Sequence, residues 1–101
     1  MTSGRLAAAV TAPARGESTL PVATATGFTV EQILSGRLDA PHDYDQDHDE
    51  WVIVLEGHAT LEVDGATHDL SAGDWWLLPA HTPHRLVRTE PGTSWLAVRS
   101  S

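Results

Sequence analysis

The chain has 101 residues, room for one domain at the usual ~100 to 200 residues per domain, and carries a net charge of -8 with 41% hydrophobic residues. That balance excludes nucleic acid and anionic membrane as partners, because both select a basic patch. The chain has no Cys, and all six of its basic residues are Arg, which excludes disulfides, thiolate metal sites and Lys-based Schiff-base chemistry.

The N-terminal "MTSGRLAAAVTAPARG" has one short Ala-rich patch, too weak for the apolar segment of a secretory signal. Residues 1–26 are therefore expected to form a flexible or loosely docked arm, and residues 27–101 a single domain. No run approaches the ~20 apolar residues of a membrane span, so a cytoplasmic protein is expected.

From Gly27 onward, short apolar runs alternate with turn signals, the pattern of an all-β sandwich or barrel. "FTVEQILSG" (Phe28 to Gly36) reads as a strand, although Val30, Ile33 and Leu34 also fit a helical period. "EWVIVLEG" is a β-branched run ending in Gly57. "HATLEVDGATHDL" places Asp64-Gly65 between two alternating segments, a hairpin signal. After the turn "SAGD", "WWLLP" is a strand closed by Pro79. "HRLVRTE" and "TSWLAVRS" follow, separated by the turn at Pro91-Gly92. Six or more short antiparallel strands without a long helix point to a closed barrel or jelly roll.

If Glu50 points inward, Val52 and Val54 share its face, while Trp51, Ile53 and Leu55 meet another layer or a partner. A carboxylate set among valines needs a hydrogen-bond partner or a cation. Trp75 and Trp76 are adjacent, so one faces the lumen. The other, with Trp51 or Trp95, leaves an apolar patch for the arm or a second subunit to cover.

These residues resemble the two motifs of the cupins. Glu50, six residues and Gly57 match the second half of the first motif, and Gly73, Pro79 and His84 match the second motif. More narrowly, "YDQDHDEWVIVLEG", "GDWWLLPAHTPHR" and "WLAV" resemble a group of small bacterial cupins. The resemblance implies an antiparallel β-barrel of the jelly-roll type, a homodimer and a small-molecule ligand. It also implies a divalent metal ion, Zn, Fe(II), Mn or Ni, held by Gln46, Glu50 and His84, with Tyr44 or His81 moving protons. The pattern departs from the family where the two motif histidines become Tyr44 and Gln46, or Asp43 and Asp45 in the alternative register. His81 replaces a Gly and Arg88 an Asn.

Two classes of function stay open: metal-dependent oxygenase, isomerase or lyase chemistry, and metal-free binding of a small metabolite around a Glu50–His84 pair. His42 and His48 read as solvated loop residues that could thicken the site. Asp43, Asp47 and Asp49 read as exposed, bonding to nearby backbone.

Overall fold

The computed structural model describes all 101 residues. Nine strands follow a single 3₁₀ turn at Ala9–Thr11: β1 (Glu17–Ala25), β2 (Phe28–Ser35), β3 (His42–Tyr44), β4 (Glu50–Glu56), β5 (His58–Val63), β6 (Ala66–Ser71), β7 (Trp75–Leu78), β8 (His84–Thr89) and β9 (Thr93–Ser100). They form a five-stranded sheet in the order β1-β2-β9-β4-β7 and a four-stranded sheet in the order β3-β8-β5-β6. Every strand pair is antiparallel, giving a two-sheet jelly roll. No helix is long and apolar enough to cross a membrane.

Alternation along each strand builds the core between the sheets. Val52 and Val54 of β4, Leu78 of β7, and Trp95 and Ala97 of β9 meet Ala59, Leu61 and Val63 of β5, Leu70 of β6 and Leu86 of β8 in one buried cluster. Each fully buried Val or Leu contributes about 1.5–3 kcal/mol relative to exposure, so this cluster is the main apolar source of stability. Of the two adjacent tryptophans, Trp76 packs against the cluster while Trp75 is 59% exposed. Trp75 lies beside Trp51 on the outer face, with ring centroids 6.1 Å apart. Trp95 is buried, so the expected outer apolar patch pairs Trp75 with Trp51.

The expected boundary at residues 26 and 27 falls inside a hairpin. Ala25 pairs with Phe28, so Thr26-Gly27 is the two-residue turn joining β1 to β2, and β1 belongs to the sheet. Pro21 hid this strand from the sequence reading. It is tolerated because β1 is an edge strand whose register shifts between Pro21 and Ala23. The segment before β1 is also docked. The Gln32 side chain makes a reciprocal pair of 2.9 Å hydrogen bonds with the backbone of Ala7. Gly36 N–H donates to Gly16 and Arg37 N–H to Ala14.

Two turns show why their glycines are required. Asp64 and Gly65 both adopt positive φ, 52° and 78°, the type I′ geometry that suits a two-residue hairpin. Gly57, with φ 88°, joins β4 to β5, and a Cβ there would lie 2.5 Å from Thr93 Oγ1 and 2.8 Å from Thr93 Cα. A Cβ at Gly65 would meet nothing within 4 Å. Gly57→Ala is therefore expected to cost about 2–4 kcal/mol and Gly65→Ala about 1–2 kcal/mol, because only the first adds a clash to the strained φ. Urea melts of the two variants check this, and equal losses would contradict it.

Candidate functional site

A cavity of about 200 Å³ opens between the sheets, where β4 and β8 begin and β7 and β9 end. Its inner wall is apolar, with Ile33, Val52, Leu61, Leu78, Leu86, Trp95 and Ala97. Its outer wall is polar, with Glu17, Thr19, Glu31, Tyr44, Gln46, His48, Glu50, His84 and Arg99. At about 30 Å³ per water the space holds about seven waters, room for a small molecule.

The acidic stretch before β4 supplies four of these polar residues through simple alternation. Tyr44, Gln46, His48 and Glu50 are partly buried, while Asp43, Asp45, Asp47 and Asp49 are exposed. The period of two persists through residues 45–49, although no strand includes them. Backbone anchors hold this course: His81 N–H donates to Gln46 O (2.7 Å), and Ser100 N–H donates to Asp49 O (2.9 Å). Outside, Asp49 Oδ1 accepts from Ala80 N–H (2.8 Å), and Asp43 is bonded by Arg85 (2.6 Å), which holds its carboxyl below the usual range.

Tyr44 and His84 face each other across β3 and β8, with rings stacked at 5.3 Å and 11°. His84 Nδ1 lies 2.9 Å from the Thr82 carbonyl, which can only accept. A proton therefore sits on Nδ1, and Nε2 is the ring nitrogen left for another partner. The Tyr44 hydroxyl donates to Glu17 Oε1 (3.3 Å), and Glu17 Oε2 accepts from Ser35 Oγ (2.6 Å). Ser35 Oγ in turn accepts from Trp95 Nε1 (3.2 Å). Burial, reinforced by the neighbouring Glu17 carboxylate, pushes the Tyr44 phenol far up, so it stays protonated.

Glu50 is the desolvated acid of the site. Burial pushes its carboxyl above the ordinary range, opposed by the Gln46 amide donating to Oε2 at 3.4 Å and by the nearby His84 and His48. His48 was expected in solvent, but it lines the cavity with its side chain 22% exposed. Its Nδ1 faces Asp47 at 3.3 Å. Its Nε2 is the one buried side-chain polar atom without a hydrogen-bond partner. An unpaired buried polar atom costs about 1–3 kcal/mol.

The structure therefore brings Tyr44, Gln46, Glu50 and His84 together, as the sequence predicts, and it leaves His81 outside. His81 is an exposed turn residue with φ 60°, and its backbone N–H, rather than its imidazole, serves the site by anchoring Gln46. Exposed His42 stacks on the Tyr44 ring at 4.7 Å. Glu17, Glu31 and Arg99 were missed. The signal for Glu17 was the Thr26-Gly27 turn, which implies a strand before it. Glu31 forms an ion pair with Arg99, whose Nε lies 3.1 Å from Oε1. No three His, Asp or Glu side chains converge to metal-ligating distance.

Residues 29–98 match the family model described as Cupin domain. The chain belongs to the cupin family. Among solved structures this cupin is similar to a "putative mannose-6-phosphate isomerase" from Ralstonia eutropha JMP134, with 36% identity over 100% of this chain and 99% of that one and a TM-score of 0.84. It is also similar to KdgF from Halomonas sp. (26% identity, 84% of this chain and 78% of that one, TM-score 0.73). An RmlC-like cupin from Desulfovibrio desulfuricans shares the fold at 21% identity, with 99% and 96% of the chains covered and a TM-score of 0.72. No curated protein matches the chain. The cupin match stops short of Glu17 and Arg99, so the cavity of this cupin is completed from outside the matched segment.

Because the folded cupin holds the Glu50 proton more tightly than the unfolded chain does, the contribution of Glu50 to stability falls as pH rises from the ordinary carboxyl range through its raised folded value. In chelator-treated protein, Glu50→Gln is expected to melt at a higher temperature than wild type at about pH 7, with the gain lost at about pH 3, where the acid is protonated in both states. Paired thermal melts across pH check this, and a difference independent of pH would contradict it.

Proposed function

We propose that the cavity holds a divalent cation between Glu50 and His84, with Gln46 beside them, and binds a small oxygen-bearing molecule against it. One observation carries the reading. The phenol, amide and guanidinium of the lining each sit against one of its three carboxylates: Tyr44 donates to Glu17, Gln46 donates to Glu50, and Arg99 forms an ion pair with Glu31. Apart from the Thr19 hydroxyl and the remaining N–H groups of Arg99 and Gln46, the polar lining consists of acceptors, carboxylate oxygens above all. Such a lining takes a ligand that brings positive charge or hydrogen-bond donors.

The donor set of imidazole nitrogen and carboxylate or amide oxygen fits Zn, Fe(II), Mn or Ni. When bound, such a cation supplies Lewis acidity toward an oxygen of the ligand. The chain's own residues then do the rest. Tyr44 keeps its proton at the phenolic oxygen, directed at Glu17 and available for exchange with a ligand oxygen. The apolar inner wall excludes water behind the ligand. Isomerase chemistry has support from the 36% identity to the Ralstonia protein. The phosphate in that protein's name has none here, because Arg99 is the only basic residue with a permanent charge in the lining and is already paired.

A metal-free reading rests on a specific observation too: no three His, Asp or Glu side chains converge, and Gln46 already satisfies one oxygen of Glu50. There the same acceptors would bind the hydroxyl groups of a small polyol directly, without turnover.

Metal analysis of untagged protein separates the two. About one divalent ion per chain is expected after incubation with Mn, Fe(II), Ni or Zn, and Glu50→Ala and His84→Ala are each expected to weaken binding by at least about tenfold. No stoichiometric binding of any of the four would leave the metal-free reading standing. With metal bound, substrate-dependent oxygen uptake or product formation distinguishes an enzyme from a binding protein.

A further inference from the structure

We infer that His48 is the third protein ligand of this cation site, and that Gln46 is a positioning residue for Glu50. The inference deepens the proposed cation reading and rests on it. The family motif assigns nothing to position 48, so the case comes from this chain alone.

Three observations converge on the imidazole. The alternation that turns Glu50 inward also turns His48 inward, two residues earlier, so the pair shares the cavity wall. The Nε2 atom of His48 is buried without a partner, while every other buried side-chain polar atom has one. The Nδ1 atom of His48 faces the Asp47 carboxylate at 3.3 Å, which places the proton on Nδ1 and leaves Nε2 bare. His84 shows the same arrangement against the Thr82 carbonyl. An outer hydrogen bond that fixes the tautomer is how proteins prepare imidazoles for cations.

Gln46 is prepared differently. Its amide nitrogen points at Glu50, so the side chain spends its donor in orienting the carboxylate, and its carbonyl is a weak neutral ligand beside two imidazoles. Two imidazoles and one carboxylate make a donor set suited to Zn or Fe(II), with positions left open for a small ligand. The three side chains do not yet converge, so cation binding must draw them together. Residues 45–49 lie outside the strands, and the backbone anchors of this segment fall at Gln46 and Asp49, on either side of His48.

Co(II) is the probe. Wild-type protein titrated with Co(II) is expected to show paramagnetically shifted ring protons from two imidazoles. His48→Ala should show one and bind Co(II) at least about tenfold more weakly, while Gln46→Ala should keep both shifted rings even where losing the brace on Glu50 weakens binding. The count of shifted rings in the wild type tests the assignment even where a variant folds poorly. One shifted ring in the wild type, or His48→Ala binding Co(II) like the wild type, overturns the role of His48 and leaves the cation reading intact. Wild-type protein that takes no Co(II) overturns both.

Discussion

The site depends on one electrostatic constraint: the Glu50 carboxylate is held at the mouth of an apolar sandwich, on the same strand face as Val52 and Val54. Water normally offsets the charge of a carboxylate, and here burial has removed much of it. The lining answers that deficit only in part, through the long Gln46 bond and the more distant His84 and His48 rings. On the proposed reading, a ligand that brings positive charge or hydrogen-bond donors completes that solvation. Stability is given up at the position where binding gains it, a common arrangement at functional sites.

The same constraint explains the pairing of every carboxylate in the wall. Three acids around a space of about 200 Å³ would repel one another strongly if each were bare. Each has instead a hydrogen-bond donor or cation beside it, Tyr44 and Gln46 from β3 and the residues directly after it and Arg99 from β9, two separate pieces of chain. The jelly roll makes this possible because its antiparallel order carries residues distant in sequence to one open end of the sandwich. Gly57 matters to that order although it is remote from the cavity, since it lets β4 turn into β5 against Thr93, the first residue of β9.

Much of this was legible in the sequence because alternation and turn chemistry are local. The inward set Glu50, Val52 and Val54, the Asp64-Gly65 hairpin and the closing of β7 at Pro79 each need only a few residues to be read. The motif register selected Tyr44 and Gln46 over Asp43 and Asp45, and the burial pattern agrees. His48 was given to solvent because alternation is ordinarily lost outside strands, whereas here anchors to His81 and Ser100 preserve it. Those anchors are long-range and have no local signature. Glu17 was lost for a different reason: Pro21 and the Thr/Ala-rich composition disguised an edge strand, and only its pairing with β2 brings the acid to Tyr44. His81 was overvalued because its residue type suggested chemistry where its backbone conformation carries the role.

Tyr44 and Gln46, which stand where the family motif has two histidines, still line the cavity, with different chemistry. A phenol would serve a cation best as phenolate, yet burial and the adjacent Glu17 carboxylate oppose ionisation, so Tyr44 remains a neutral hydroxyl. The chain from Trp95 through Ser35 and Glu17 to Tyr44 fixes that hydroxyl from behind the cavity wall. Tyr44 is thus better placed to exchange a proton with a ligand than to hold an ion, while Gln46 steadies the acid that would. On the proposed cation reading, the burden of ligation shifts onto imidazoles whose Nδ1 atoms already face an acceptor. On that same reading, two residues that look like losses of a metal site in the sequence become a proton-bearing group and a brace for the carboxylate that would bind the cation.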